Sequence, residues 1–301
     1  MTTQPSISIG YLGPEGSNSH SACLRLIDSG WLSATAEKKA VELTPFATMR
    51  QTLAAVGQSK VTYGFVPIEN SLQGSVVEVM ESIGLSRHGL TVYAEALVPI
   101  VHGLIQLESP QNGHAPIKTV ISHPQALAQC QETLMAAFGE SVELKHAAST
   151  SEAVRILKAT GDPAMAAIGT AAAAKLYDLP VTQPQMSDAS GNTTRFLLIS
   201  NVDQPCPLAR KEDTPVKSSL CLGLKDRPGV LVDTLQVLKD HGANLTRIES
   251  RPSRKRVGNY VFYLDVDGSL MGEAQAKVMA YLEEASDYVH LTGPYTVLGE
   301  I

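Results

Sequence analysis

Asn192-Thr193-Thr194-Arg195-Phe196 places hydroxyls, a guanidinium and an aromatic ring in succession at the head of an apolar run. An arginine grips a carboxylate through two parallel N–H donors, a geometry lysine cannot reproduce. A threonine hydroxyl is a poor acid, but it donates a hydrogen bond and can relay a proton. The string also reads as a β-branched residue opening a strand beside a solvated arginine. Four further strings put small polar residues where an apolar run stops and a helical stretch begins. They are Gly13-Pro14-Glu15-Gly16-Ser17-Asn18-Ser19, Pro67-Ile68-Glu69-Asn70-Ser71 through Gly74-Ser75, Ser122-His123-Pro124-Gln125, and Gly169-Thr170 ahead of an alanine run. Each alone is an ordinary helix cap; Ser75 with Glu78 and Ser122 with Gln125 have capping-box spacing. Together they would turn several helix N-termini, with unpaired N–H groups and partial positive charge, towards one crevice beyond the carboxyl ends of the strands, where a small anion would sit. Gly13, Gly16 and Gly74 would let the backbone approach it closely. A nucleotide is disfavoured, since the glycines lack a Gly-Lys-Ser/Thr ending and Gly-x-Gly-x-x-Gly is absent.

The elements that must position these residues follow from the alternation of short apolar runs, Gly or Ser turns and helical stretches up to about residue 200, which predicts mainly parallel α/β architecture. Strands are expected at 7–12, 42–45, 63–68, 97–107, 119–122, 143–146, 165–168 and 194–200, and helices at 19–29, 49–56 and 125–138 end at Gly30, Gly57 and Gly139. The segment 202–217, with three prolines and mixed charge, reads as a linker. Beyond it, strand (219–224), helix (229–241), strand (244–250), strand (260–266), helix (271–285) and strand (289–291) give the split βαββαβ, ferredoxin-like plan.

Composition narrows the function. Lys plus Arg is 24 against 30 for Asp plus Glu, a net charge of −6 with no dense basic run, so no nucleic-acid partner is expected. The longest nearly uncharged stretches, 96–107 and 164–174, fall short of the roughly 18 apolar residues of a spanning helix, and the N-terminus lacks a basic region leading into an apolar run. The expectation is no membrane and a cytoplasmic location. Cys23, Cys130, Cys206 and Cys221 form no Cys-x-x-Cys and no zinc-like spacing with His, so neither metal nor disulfide framework is expected.

In order, YLGPEGSNSH (11–20), GFVPIENSLQGSV (64–76), ISHPQALAQC (121–130), AAIGTAAAAKLY (166–177) and NTTRFLLI (192–199) resemble the motifs of prephenate dehydratase. KDRPGVL (225–231) and NLTRIESRP (244–252) resemble those of the ACT regulatory domain. The resemblance spans about residues 7 to 295. It implies an α/β catalytic region of two lobes like a type II periplasmic binding protein, residues 1–203, followed by a linker at 204–217 and an ACT domain at 218–301. Lobe one would comprise 5–95 and 185–203, and lobe two 96–184. The implied reaction converts prephenate to phenylpyruvate with loss of carbon dioxide and hydroxide, and it needs no metal, redox cofactor or covalent nucleophile.

By the same resemblance Thr194 serves the leaving hydroxyl, Arg195 grips the substrate's side-chain carboxylate, and Phe196 packs beneath them. Asn70 and Ser71 donate to substrate, Glu69 orients or stabilises, Ser122 and the backbone at His123 approach from the other lobe, and Ser17 and Gly74 complete the binding set. Ser17 and Asn18 stand where the family commonly has a threonine and an aromatic, so the local cleft shape is open. Pro228, Gly229, Val230 and Leu231 with Asn244, Leu245, Glu249 and Ser250 form the implied phenylalanine site, closed by a partner subunit in a homodimer or homotetramer. Two alternatives remain: arogenate dehydratase, and a non-catalytic anion and amino-acid binding protein.

Overall fold

The computed structural model describes residues 7–32, 40–85, 87–107, 116–202, 204–209, 213–253 and 259–301. Residues 5 and 6 of the expected first lobe, residue 203 and residues 210–212 of the expected linker lie outside them. No helix among the described residues is long and apolar enough to cross a membrane.

Lobe one supplies six strands of a ten-stranded sheet. Its strands β1 (Ile7–Leu12), β2 (Val41–Phe46), β3 (Tyr63–Asn70), β5 (Leu90–Pro99) and β11 (Thr193–Asn201) run β5-β11-β3-β1-β2, with the short β4 (Gly74–Ser75) on β3. Helix α1 (Asn18–Asp28) covers one face through Ala22, Cys23 and Leu26; α2 (Met49–Gly57) and α3 (Val77–Gly84) cover the other. Side chains alternate along a strand, so in β11 Phe196 and Leu198 join the α1 core while Leu197 and Ile199 join the α2–α3 core. Gly57 is no left-handed cap: its Cβ would meet His88 Cβ at 2.6 Å, and the positive φ falls on Ser59.

Lobe two has its own five-stranded sheet, β10-β6-β9-β7-β8, made of β6 (Gly103–Ile105), β7 (Thr119–Ser122), β8 (Glu143–His146), β9 (Met165–Gly169) and β10 (Val181–Gln183). Helices α4 (Pro124–Ala128), α5 (Gln131–Phe138), α6 (Thr150–Thr160) and α7 (Ala171–Leu176) flank it. The single strand expected at 97–107 is therefore two strands in different sheets, and the chain changes lobe at 100–102, a few residues beyond the expected boundary. The helix expected at 125–138 breaks at Gln129 and Cys130. Asp188 explains the break: its carboxylate accepts from the amides of Glu132 and Thr133 at 3.0 and 2.8 Å, capping α5 from a distant segment.

The C-terminal unit follows the expected order: β12 (Val216–Leu224), α8 (Val230–Asp240), β13 (Leu245–Pro252), β14 (Tyr260–Asp267), α9 (Ala276–Ala285) and β15 (Ser286–Glu300). Its sheet order is β13-β14-β12-β15, with α8 and α9 sharing one apolar face. The last strand is much longer than the 289–291 expected. It passes Gly293-Pro294 where its register on β12 shifts, the kind of position at which a strand tolerates proline. It then pairs in parallel with β5 of lobe one, Thr296 opposite Ala94 and Val297 opposite Glu95, so one continuous sheet joins the two units.

Candidate active site

A cleft of about 860 Å³ opens between the lobes. Three N-caps stand on its wall: Ser17 accepts from the His20 amide at 3.2 Å, Ser149 from Glu152 at 3.0 Å, and His123 Nδ1 from Gln125 at 3.3 Å. Asn18, Ser19 and Thr150 line it beside them. Amides of the first turns of α1 and α6 thus bring partial positive charge to it; Glu152, whose carboxylate pairs with Arg155, lines it too, while no lysine or arginine does among the described residues. Ser149 with Glu152 has capping-box spacing visible in the sequence yet not assigned above, though the Glu152 carboxylate turns to Arg155 instead of the Ser149 amide. The two that were assigned do not form: α3 is preceded by Val76, with no side-chain cap, and α4 is capped by His123.

The lobes touch through the loop between β1 and α1. Thr170 Oγ1 donates to the Gly16 carbonyl at 2.8 Å and Ser151 Oγ to that of Glu15 at 2.5 Å. Gly16 has φ 80°, and a Cβ there would lie 2.6 Å from Ser151 Oγ, so glycine serves both the turn and the close approach.

Thr194 and Asn70 meet in the cleft wall. Asn70 Oδ1 accepts from the amides of Leu72 and Gln73 at 3.0 and 3.1 Å, which fixes the orientation of its amide group. Its Nδ2 therefore points at Thr194 Oγ1, at 2.9 Å, and at Asn192 Oδ1, at 2.8 Å. With its oxygen engaged as an acceptor, the Thr194 hydroxyl has its hydrogen left to give, and that hydrogen has no acceptor among the described residues. Phe196, buried, lines the cleft and stacks on Phe65 with ring centroids 5.0 Å apart.

Arg195 points the other way, which corrects the expectation that it grips substrate. Neighbours in a strand face opposite sides, and with Thr194 in the cleft the guanidinium enters the interface with the C-terminal unit. There it meets Glu95 and Asp265, both at 2.5 Å, and the Tyr295 hydroxyl at 3.0 Å. Burial disfavours the charge, but Asp265, Tyr295 and Glu95 outweigh it and raise the pKa. Asp265 is the mirror case: burial pushes its carboxyl up, and Arg195 with the Ser219 hydroxyl brings it below the usual value.

Glu69 is displaced for a related reason. Plain alternation from Phe65 and Pro67 would put Glu69 in the cleft and Asn70 behind it. Opposite β11, however, Arg195 pairs with Glu69 and Phe196 with Pro67, leaving Ile68 as the extra residue of a bulge. The phase reverses: Asn70 enters the cleft, while Glu69 lies 3.7 Å from both Arg195 and Arg247. Ser71 is exposed and its hydroxyl is engaged, donating to the Gly191 carbonyl at 3.2 Å and accepting from the Thr193 amide at 3.0 Å. Ser122 is fully buried and donates to the Ile168 carbonyl at 2.7 Å. Gly74, at φ 74°, sits in exposed β4 and does not line the cleft. Of the expected catalytic and substrate-binding residues, the cleft gathers Thr194, Asn70, Phe196, Ser17 and His123. It adds His102, Gln129 and Asn192; Gln129 and Asn192 stood in quoted strings without a role, and nothing in sequence spacing marks His102.

In the C-terminal unit Gly229, at φ 80°, leads Val230 and Leu231 into α8. Leu245 and Ser218 lie opposite the same residue, Val266, and Ser250 and Leu222 opposite Phe262. Asn244 and Leu245 therefore stand at the end of the sheet where β12 starts, and Pro228 and Gly229 at the end where it leaves. Within one chain the 11 residues of α8 separate them, about 16 Å. Glu249 accepts from Ser75 Oγ at 2.5 Å and Arg247 at 2.6 Å, tying β13 to lobe one.

Comparison with known proteins places this geometry. Residues 9–204 match the family model of prephenate dehydratase and residues 219–274 that of the ACT domain. A prephenate dehydratase of Lactococcus lactis subsp. cremoris is 33% identical over 303 residues, covering 98% of this chain and all of the relative. Among solved structures, prephenate dehydratase from Arthrobacter aurescens in complex with L-Phe is 27% identical with TM-score 0.79, covering 96% of this chain and 90% of that one. GqqA, described as a novel type of quorum quenching acylase, is 25% identical with TM-score 0.79 and coverages of 96% and 97%.

Proposed function

Because the chain belongs to the prephenate dehydratase family and carries a C-terminal ACT domain, we propose that it converts prephenate to phenylpyruvate in phenylalanine biosynthesis and that phenylalanine controls it through the ACT domain. The observation that carries this reading is the Thr194 hydroxyl, whose oxygen accepts from Asn70 Nδ2 and whose hydrogen remains free at the cleft.

The prephenate dianion takes up one proton and gives phenylpyruvate, carbon dioxide and water. The C–C bond to the ring carboxylate breaks, its electron pair enters the ring, and the C–O bond opposite breaks with its pair on oxygen. Aromatisation drives the change, so the protein's task is to hold the ring and help the hydroxyl leave. Thr194 donates to that departing oxygen, and Asn70, already committed to backbone amides, keeps it aimed. Helix N-termini of α1 and α6 receive the carboxylates. Amide dipoles suit this better than a fixed cation, since strong pairing to the carboxylate that must depart would stabilise the ground state and slow its loss.

Two features support phenylalanine as effector: the relative solved with L-Phe, and the two motif strings of the ACT domain. Gly229 and Asn244 stand at opposite ends of one chain's sheet, so a pocket uniting them takes one side from each of two copies, and the working unit is a homodimer or a multiple of it.

Following phenylpyruvate absorbance from prephenate, with and without phenylalanine, tests the proposal. Turnover that phenylalanine lowers is expected, and Thr194→Ala should reduce kcat at least about 100-fold, the scale of a positioned proton-transfer group, while still binding phenylalanine. Turnover of arogenate and not prephenate would overturn the substrate assignment, and near-normal kcat in Thr194→Ala would remove that residue from the mechanism.

A further inference from the structure

The hydrogen bonds that aim Thr194 continue past Asn70 across the hinge. Asn70 Nδ2 donates to Asn192 Oδ1, so the Asn192 amide must turn its Nδ2 outward, where it donates to Gln129 Oε1 at 3.1 Å. The same oxygen lies 3.0 Å from His102 Nε2. Since Gln129 Oε1 can only accept, Nε2 carries the ring hydrogen, and Nδ1 is a bare nitrogen, buried and without a partner in the structure. Burial lowers the His102 pKa and outweighs the opposing bond to Gln129, in keeping with a neutral ring. Two backbone amides, Leu72 and Gln73, thus set the polarity of a chain running Thr194–Asn70–Asn192–Gln129–His102.

The route matters because of where its members sit. His102 is on the first crossing between lobes and Asn192 on the second; the crossings also bond each other, Ile100 amide to Asn192 carbonyl and Met186 amide to His102 carbonyl, both at 2.8 Å. Gln129 belongs to lobe two, at the break between α4 and α5, and its carbonyl accepts from the Asp188 amide at 2.8 Å. One side-chain oxygen of lobe two therefore holds both crossings, and through one of them it reaches the hydroxyl of lobe one.

We propose that Gln129 is a positioning residue: its Oε1 holds Asn192, and through Asn192 and Asn70 makes the aim of the Thr194 hydroxyl depend on how lobe two is seated on the hinge. This rests on the dehydratase reading above. Gln129 uses only its acceptor oxygen in these bonds, so glutamate can replace it there, whereas methionine, of similar shape, cannot.

The test is steady-state kinetics on prephenate with the full chain. Gln129→Met should lower kcat about 10- to 100-fold, the cost of a misplaced reacting group, with KM within about twofold. Gln129→Glu should keep kcat within about threefold of wild type but raise KM, because a carboxylate then faces a dianion. In the Thr194→Ala background Gln129→Met should cost less than about twofold more, since it acts through the missing hydroxyl. Equal losses of kcat in the Met and Glu variants, unchanged kcat in Gln129→Met, or a full further loss on top of Thr194→Ala would each overturn the proposal. Should Gln129→Met fail to fold, Gln129→Glu decides alone, and a kcat as low as that of Thr194→Ala refutes it. A wild-type chain inactive on prephenate would instead defeat the dehydratase reading.

Discussion

Gly16 donates its amide to Nδ1 of His20 at 2.9 Å, and the imidazole stacks on Tyr11 with ring centroids 5.3 Å apart. Nδ1 must therefore be unprotonated when the loop is in place. Burial lowers the pKa below 6.5, against an opposing pull from Glu15. The sign follows by linkage: the unfolded chain takes up a proton as pH falls through about 6.5 and the folded chain resists it, so the contribution to stability is complete above that value and declines below it. Melting temperature should thus fall more for wild type than for His20→Gln between about pH 7.5 and about pH 5.5, because glutamine still accepts from Gly16 but does not titrate. Equal falls would place the acid sensitivity elsewhere. The same single-residue logic explains Ser17, a wall residue whose hydroxyl is occupied, donating to the Leu12 carbonyl at 3.0 Å while capping α1. Only its neighbourhood, not its hydroxyl hydrogen, is free for a ligand.

Strand β11 carries two functions on its two faces. Thr194 and Phe196 face the cleft, and Arg195 faces Asp265 and Glu95 in the interface, with side-chain exposures of 11% for Arg195 and 5% for Asp265. Period-two alternation was legible in NTTRF from the sequence, and it alone excludes Thr194 and Arg195 from sharing one wall. The bulge at Ile68 was not legible, because it exists only in the register between β3 and β11, residues far apart in the chain. Breaking a buried ion pair leaves a charge uncompensated; here Glu95 remains as second partner, so Asp265→Asn should cost about 3 kcal/mol, the low end for such pairs, measured by denaturant unfolding. Arg195→Lys should also lose stability, since lysine cannot span Glu95, Asp265 and Tyr295 together. A raised KM with unchanged stability in Arg195→Lys would return that residue to substrate binding.

At the scale of the molecule, β15 makes the ACT and dehydratase units parts of one sheet, antiparallel to β12 on one side and parallel to β5 on the other. Tyr295, on that strand, touches Arg195, and Leu298 is buried in the α1 core. Cys221, Tyr263 and Tyr295 pack into the same apolar cluster as α3. An effector that rigidifies the ACT domain has a continuous ladder, and a shared core, into the strand that carries Thr194. Phenylalanine should accordingly slow hydrogen exchange in β5 and β11 as well as in β12 to β15. Slowing confined to residues 216–294 would separate the units and place the coupling outside the shared sheet.

The sequence by itself determined the order of elements, the split βαββαβ plan and the family motifs that carry Thr194 and Asn70, because caps, alternation and ordered strings are local and survive without neighbours. Tertiary structure decided which face of each strand looks into the cleft. The bulge that exchanged Glu69 for Asn70, the Asp188 carboxylate that broke a helix at Gln129, and the crossings that brought His102 and Asn192 to one oxygen all depend on contacts between segments distant in the chain, where no local preference carries the information.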